Sequence, residues 1–268
     1  MLKQADDFYE ESNCLHKILS ELSEKELKTK SQFKNWSFND IIRHLHVWNH
    51  ASFQSLLGDK EWSTYLKKLK TFFKQGKKLQ DFEKYFTKNI KGRDLISLWK
   101  TEFKKVADSF KKENPRRRVK WVGPEMSTIS SISARHMETW AHGQAIYDSL
   151  GIVRKNQDRI LNIVIIGNNT FSWTYKVNNR KTPISTPYLK LKSPSGKIWK
   201  FNDPKSHNKI EGLAEEFCQV VTQVRNIKDV NLKLSGSIAN EWMTIAQCFA
   251  GKASTPPNPG TRNIIINK

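Results

Sequence analysis

The chain has 268 residues, a net charge of +20 and 37% hydrophobic residues, with nine tryptophans among them. This length suits one large domain or two of ordinary size, and the apolar content is sufficient for real cores. No run of about 18 apolar residues exists, which excludes a predicted membrane span. The chain starts with an acidic segment rather than an apolar signal sequence, and its three scattered cysteines are typical of free thiols. We therefore expect a cytoplasmic protein.

The positive charge raises the question of nucleic-acid binding. Residues 1–120 hold 27 basic and 16 acidic residues, and residues 121–268 hold 19 and 10. The excess is therefore spread along the chain, whereas nucleic-acid binders concentrate it on one surface with interleaved aromatic residues. Net charge by itself bears on solubility and on non-specific attraction. We expect neither a nucleic-acid partner nor a membrane partner, and a homodimer stays open.

The first 150 residues are predicted to be almost entirely helical, because their apolar residues recur at helical spacing. Ser37, followed by Asn39 and Asp40, supplies an N-cap for the second of the predicted helices. A shorter Lys-rich element is expected at about residues 62–90. The pattern favours an antiparallel four-helix bundle over residues 1–153. Its main helices are predicted at Phe8–Leu22, Ile41–Leu57, Leu95–Phe110 and Ile129–Leu150.

The pattern changes after residue 158, where we expect a small α/β domain over residues 158–252. A run at Ile160–Ile166 is ambiguous between helix and strand, and a Pro-rich tail is expected at residues 253–268. The fold class is therefore predicted to be α+β. Alternation predicts strands at Phe171–Val177, Tyr188–Lys192 and Ile198–Phe201, and helical spacing predicts helices at Glu211–Val224 and Ser237–Ala250.

A carboxylate and an imidazole four residues apart form the most informative motif. Glu138 and His142 would lie on the same face of a helix, so that both could bind one divalent metal ion. His44, far upstream, would be the third ligand. Three protein ligands leave a fourth position for water or substrate, as in catalytic zinc sites.

Spacing alone is weak support, since such a pair is usually a solvated contact. The apolar neighbours Met137 and Trp140 indicate a buried helix instead, where an unpartnered carboxylate would be costly. A metal ion, or an arginine such as Arg135 or Arg43, would offset that cost.

Other basic residues offer alternatives. His46 and His50 form a second pair at the same spacing and could compete as a metal site. His136 would point away from Glu138 and is expected at a surface or interface. The cluster Arg116, Arg117 and Arg118 is either a solvated loop or a group that steers the carboxylates of a bound small molecule to the metal.

With these residues in view, the chain resembles the DinB-like metal-binding superfamily, which includes mycothiol-dependent maleylpyruvate isomerase. The second domain resembles the wyosine-base-formation domains found in some uncharacterised metal-binding members. Histidine at position 46 departs from the family pattern, which usually has a small residue there. The motifs that carry the resemblance are Trp36 with His44-Leu45, Trp121–Ser127, Ala134–Gln144, Asp148–Gly151, Ile210–Gln223 and Ala246–Gly251.

The resemblance implies that His44, Glu138 and His142 bind a divalent cation, commonly zinc, with water completing the shell. It also implies a low-molecular-weight thiol, held as thiolate, that adds to a small electrophilic substrate in an isomerase or transferase reaction. No residue beside the metal ligands stands out as a catalytic base. Two alternatives stay open: a non-catalytic metal-binding adaptor, favoured by a fourth protein ligand such as His46 or Asn49, and a tRNA-modification-associated protein.

Overall fold

A computed structural model describes residues 1–265, and these divide between two compact units, Met1–Ile146 and Tyr147–Lys268. The predicted α+β class is confirmed, because helices are combined with small sheets. The predicted domain limits of 1–153 and 158–252 stay a proposal. Of the predicted tail, residues 266–268 lie outside the described residues. No helix in the described part of the chain is long and apolar enough to cross a membrane.

Long helices dominate the first unit. Helices α1 and α2 both pack against α5, and α3 and α4 pack against α2. A two-stranded hairpin, β1 and β2, immediately precedes α6. The elements are α1 Lys3–Glu21, α2 Phe38–Leu57, α3 Asp59–Lys74, α4 Leu79–Phe86, α5 Gly92–Lys111, β1 Arg118–Val119, β2 Met126–Ser127 and α6 Thr128–Ser149, whose last three residues belong to the second unit.

The Lys-rich element predicted at residues 62–90 is two helices rather than one. Helix α3 ends at Lys74, and Gly76 then adopts a left-handed backbone conformation with φ of 71°. That conformation is readily accessible to glycine and lets the chain turn into α4. Buried side chains of α2, α3 and α4 form an apolar cluster of Val47, Ala51, Trp62, Tyr65, Leu69 and Phe82.

The second unit combines short helices with a four-stranded sheet in the order β4-β3-β5-β6. Strand β3 pairs in antiparallel fashion with β4 and in parallel with β5, and β5 pairs antiparallel with β6. The elements are α7 Leu161–Asn169, α8 Phe171–Val177, β3 Tyr188–Lys192, β4 Ile198–Phe201, β5 Lys209–Leu213, α9 Ala214–Val221, β6 Lys233–Ser235 and α10 Ser237–Ile245.

Three predictions for this unit need correction. The predicted strand Phe171–Val177 is the helix α8, whose buried residues Phe171, Thr174 and Tyr175 follow helical spacing. The predicted helix Glu211–Val224 begins only at Ala214, because residues up to Leu213 pair with β3 as a strand. The last predicted helix ends at Ile245 instead of Ala250. The ambiguous run at residues 160–166 is largely helical.

Candidate metal centre

Helix caps fix where the two helices of the candidate site begin. The Ser37 hydroxyl accepts a hydrogen bond from the Asp40 backbone N–H at 3.2 Å, and the Asp40 carboxylate accepts one from the Ser37 N–H at 2.9 Å. This reciprocal cap starts α2, and His44 follows within its second turn. Ser127 similarly accepts a hydrogen bond from the Ser130 N–H at the start of α6.

His44, Glu138 and His142 come together in the structure. Oε2 of Glu138 lies 3.1 Å from Nε2 of His142 and 3.8 Å from Nε2 of His44. One potential ligand atom from each residue lies within 4.8 Å of the others. Their side chains are 12%, 20% and 13% exposed in chain order, so the cluster is sheltered without being sealed. One divalent ion could contact all three atoms after small side-chain movements.

A buried carboxylate, which the sequence did not reveal, supports His44 from behind. Oε1 of Glu83 accepts a hydrogen bond from Nδ1 of His44 at 2.7 Å and one from Nε1 of Trp48 at 3.2 Å. Glu83 lies on α4 and is only 2% exposed. Metal-binding histidines commonly donate their second ring N–H to a carboxylate in this manner, which fixes the tautomer and the ring orientation. Nε2 of His44 is thereby left facing Glu138.

Arg135 stands on the other side of the Glu138 carboxylate. Its Nη2 atom lies 3.8 Å from Oε1 of Glu138, one helical turn away on α6, and its guanidinium lies 5.5 Å from the ring centre of Trp121. Arg135 and Arg43 were the predicted counter-charges for Glu138. Arg135 has this position, whereas Arg43 donates hydrogen bonds to Thr87 and to the Ile90 carbonyl.

The charges of the cluster follow from burial and neighbours. Burial lowers the pKa of His44, but the charge of Glu83 and hydrogen bonds to Glu138 and Glu83 outweigh it and raise that pKa to about 9. Burial raises the pKa of Glu138, yet hydrogen bonds from His142 and His44 and the charge of Arg135 bring it well below its usual range. Burial lowers the pKa of His142. At neutral pH the metal-free cluster therefore holds a protonated His44 between two carboxylates.

This arrangement fits a divalent cation. The donor set of two imidazoles and one carboxylate is one that catalytic zinc sites use. Two carboxylates, Glu83 and Glu138, surround the place where His44 carries its proton, so positive charge is stabilised there. Nδ1 of His142 is buried and makes no hydrogen bond within residues 1–265, whereas its Nε2 atom lies beside Glu138.

Aromatic rings enclose the histidines. The His142 ring stacks on Trp36 with 6.0 Å between centroids and meets Phe33 edge-on at 4.9 Å. The His44 ring contacts Trp36 at 5.3 Å and Trp48 at 6.1 Å. These rings limit the access of water, which strengthens electrostatic interactions inside the cluster.

The competing pair His46 and His50 does not gather a comparable set. The ring of His46 packs against Phe86, and burial lowers its pKa to about 4. Nδ1 of His50 lies 3.1 Å from Oε1 of Glu102, and its Nε2 lies 3.1 Å from the Gln54 amide. Within residues 1–265, the group of three potential ligands inside 4.8 Å of one another is His44, Glu138 and His142.

The prediction for His136 is wrong. This residue is fully buried, and its Nε2 atom lies 3.7 Å from Oε2 of Glu11 on α1. Helix α6 is buried on more than one side, so pointing away from Glu138 does not mean pointing toward solvent.

The arginine cluster stays an untested prediction. Arg117 donates from Nη1 to Glu113 at 2.9 Å and from Nη2 to the Leu56 carbonyl at 2.7 Å. Arg118 donates to the Glu125 carbonyl across the β1–β2 hairpin, and the Arg116 side chain is exposed. Arg118 therefore connects the two sides of the hairpin, and Arg117 connects the residue before β1 to the end of α2.

Known proteins resemble this chain in two ways: one family model matches the helical unit, and two crystal structures share the fold. The model of a family described as the mycothiol maleylpyruvate isomerase N-terminal domain matches residues 10–147. Two crystal structures, of the mycothiol-dependent maleylpyruvate isomerase and of a point mutant of it, each have a TM-score of 0.51 and 12% identity. Each match covers 81% of this chain and 87% of the other, and at that identity it shows a shared fold.

Two uncharacterized proteins of Mycobacterium tuberculosis, from strains CDC 1551 / Oshkosh and ATCC 25618 / H37Rv, are 36% identical to the chain over 168 residues. The match covers 62% of this chain and 63% of each relative, which is less than two thirds of the relatives' length. None of these matches supports a wyosine-base-formation domain in the second unit.

Proposed function

Because the chain belongs to the mycothiol maleylpyruvate isomerase N-terminal-domain family, we propose that it binds a divalent metal ion, zinc, and acts as a thiol-dependent isomerase or transferase on a small electrophilic substrate. The observation that carries the proposal is the convergence of His44, Glu138 and His142 within 4.8 Å. The fold shared with the mycothiol-dependent isomerase adds support.

The cluster of His44, Glu138 and His142 favours an enzyme over a non-catalytic metal-binding adaptor, because it has three potential metal ligands rather than four. A fourth protein ligand would close the metal site, and His46 and Asn49 were the candidates for that position. The ring of His46 packs against Phe86 instead, and within residues 1–265 no fourth His, Cys, Asp or Glu joins the group of three. An open position for water or a thiol is what a catalytic site requires. The antiparallel four-helix bundle remains part of this proposal, as the frame that brings α2 and α6 together.

Each residue near the cluster has a separate task in this proposal. A divalent cation would supply a Lewis acid that keeps a thiol deprotonated at neutral pH. Glu83 holds the tautomer of His44, so that Nε2 is the free ligand atom. Arg135 restrains the second oxygen of Glu138. Phe33 and Trp36 exclude bulk water from the side of His142.

Metal content and thiol binding test the proposal in two steps. Purified native protein should contain about one zinc ion per chain by elemental analysis, and His142→Ala should lose it. His207→Ala, at an exposed histidine of the second unit, is the matched control and should keep the metal. Stoichiometric zinc in His142→Ala would overturn the assignment of the ligands.

The second step uses calorimetric titration of the zinc-loaded protein with mycothiol and with glutathione. We expect one thiol to bind per zinc ion, and the binding should disappear in His142→Ala. A zinc-loaded protein that binds neither thiol would contradict the thiol-dependent reaction while leaving the metal site intact.

A further inference from the structure

A cleft of about 490 Å³ in the first unit is unusually rich in basic side chains. It lies where the segment before α2, the first turns of α2 and the α4–α5 connection meet. Five cations line it, and they share the cleft with a single carboxylate, so four positive charges are in excess. These residues are Lys28, Lys30, Arg43, Lys84, Lys91 and the acidic Asp40.

The one carboxylate is already engaged. Asp40 accepts hydrogen bonds from the backbone and hydroxyl of Ser37, at 2.9 and 2.6 Å. It also lies 3.8 Å from Nζ of Lys30 and 3.5 Å from Nη1 of Arg43. Among the residues that the structure describes, no carboxylate lies within 4.0 Å of the ammonium groups that remain, those of Lys28, Lys84 and Lys91.

Some exposed lysines elsewhere in the same unit do have a carboxylate partner. Lys104 pairs with Asp108 at 2.9 Å, Lys111 with Asp6 at 2.6 Å and Lys120 with Asp59 at 2.7 Å. A Lys-rich composition alone would lead to solvated lysines scattered over a convex surface. The unpaired lysines of this cleft are instead collected in one concavity, where their repulsion opposes folding unless an anion enters.

The walls of the cleft are held together by two buried side chains of α2. Asn39 donates to the Leu27 carbonyl at 2.8 Å and accepts from the Gly92 N–H at 2.7 Å. Arg43, which is 2% exposed, donates from Nε to Thr87 at 3.0 Å and from Nη2 to the Ile90 carbonyl at 2.8 Å. The backbone positions of the lysines are therefore set before a ligand arrives, which reduces the entropic cost of binding.

We propose that this cleft binds a small molecule through an oligophosphate group, such as a diphosphate or a triphosphate. Four excess positive charges match the three or four negative charges of such a group, and lysine ammonium groups donate well to phosphate oxygens. The volume lies within the ordinary range of small-ligand sites, about 300–1,000 Å³. A nucleic-acid strand fits less well, because stacking platforms for bases are aromatic and none of the described residues that line the cleft is aromatic.

The cleft and the metal centre are separate sites on the same two helices. His44 and Arg43 are consecutive on α2, and Glu83 and Lys84 are consecutive on α4. Consecutive helical residues point about 100° apart, so neighbouring residues of α2 and of α4 can face the two different sites. Oligophosphate binding can therefore be tested without the metal.

The test is a calorimetric titration of the full chain with inorganic pyrophosphate and with tripolyphosphate. It uses the His142→Ala variant as well as native protein, because these probes also chelate metal ions. We expect both proteins to bind both probes more tightly than sulfate, with affinity falling as salt rises. Lys84→Glu and Lys91→Glu should each weaken binding about tenfold or more. Lys17→Glu on α1, an exposed lysine outside the cleft, makes the same charge change and should have little effect.

Three results would overturn this proposal. The first is that neither probe binds more tightly than sulfate. The second is that both probes bind native protein but not His142→Ala, which would place the probes at the metal. The third is that Lys17→Glu weakens binding as much as Lys84→Glu does. A single-stranded RNA oligonucleotide that binds more tightly than tripolyphosphate, with the same dependence on Lys84 and Lys91, would replace the small molecule by nucleic acid. Failure here leaves the zinc measurements untouched.

Discussion

Nδ1 of His44 on α2 lies 2.7 Å from Oε1 of Glu83 on α4, in the buried interior of the helical unit. This hydrogen bond presents the opposite ring nitrogen of His44 to Glu138. It also ties the short helix α4 to the candidate metal centre. We therefore expect the zinc affinity of this protein, and its dependence on pH, to depend on Glu83, although Glu83 is not a predicted metal ligand.

Replacing Glu83 by glutamine should weaken zinc binding by about 10-fold to 100-fold, because the imidazole of His44 loses the carboxylate that orients it and increases its basicity. The measurement is the zinc dissociation constant in competition with a chelator at about pH 10, which is above the pKa of about 9 of His44, so that few protons compete for this imidazole. Glu10→Gln, at an exposed glutamate of α1, provides the control. Equal affinity in native protein and Glu83→Gln would show that this hydrogen bond does not support the site.

Zinc affinity should rise with pH up to about 9. In the metal-free protein the pKa of His44 is raised to about 9, so the proton on this imidazole must leave before zinc can bind. Below that value the affinity should increase about tenfold per pH unit, and above it the affinity should level off. The pKa of Glu138 is well below its usual range, so that carboxylate adds no dependence near neutrality.

Calorimetry in buffers of different ionisation enthalpy measures this directly. At pH 7.5 about one proton should be released for each zinc ion bound. In Glu83→Gln the affinity should level off at a lower pH, since the largest favourable charge beside His44 is gone. Zinc binding without proton release at pH 7.5 would mean that His44 is not a ligand.

The buried His46 should make the protein sensitive to acid. Burial lowers the pKa of His46 to about 4 in the folded chain, against 6.5 when it is unfolded. The unfolded chain therefore takes up this proton first, and stability is lost as pH falls from about 6.5 toward 4. One pKa unit corresponds to about 1.4 kcal/mol, so the loss at pH 4.5 should be about 2–3 kcal/mol.

Urea unfolding at pH 7 and at pH 4.5, with chelator present, measures the effect. Between pH 7 and pH 4.5 both proteins should lose unfolding free energy. The loss in His46→Leu should be smaller than the loss in native protein by about 2–3 kcal/mol. His207→Leu should behave like the native protein. An identical loss in native protein and His46→Leu would contradict a neutral, buried His46.

The second unit should depend on a buried ion pair between Arg225 and Asp148. Both hydrogen bonds, Nη1 to Oδ2 and Nη2 to Oδ1, are 2.7 Å long, and both side chains are buried. Arg225→Ala leaves a buried carboxylate without its main partner, which should cost about 3–5 kcal/mol of unfolding free energy. Arg180→Ala removes an exposed pair with Glu241 and should cost less than about 1 kcal/mol. Similar costs for the two variants, measured by urea unfolding, would argue against a structural role for the buried pair.

The sequence was sufficient where the signal is local. The spacing of Glu138 and His142 and the cap at Ser37 depend on residues a few positions apart, and the structure contains the helices and the cap that they predict. The alternation over Phe171–Val177 was misleading, because buried residues at positions 171, 174 and 175 satisfy a helix as well as a strand in so short a segment.

Glu83 and His136 could not be assigned from the sequence for a different reason. Glu83 meets His44 across 39 residues of chain, and only the packing of α4 on α2 brings the two together. His136 was predicted to lie at a surface or interface because it points away from Glu138. The structure buries that side against α1, where Glu11 lies. Both errors concern tertiary packing, about which the local pattern carries no information.

The most direct test of the central claim is an anomalous difference map at the zinc absorption edge, from crystals of native protein grown without added metal. We predict one peak per chain, at about 2.0–2.2 Å from Nε2 of His44, from Nε2 of His142 and from a carboxylate oxygen of Glu138. A zinc peak beside His46 and His50, with none at these three residues, would contradict this claim. So would protein that contains one zinc ion per chain by elemental analysis but shows no zinc peak in the helical unit.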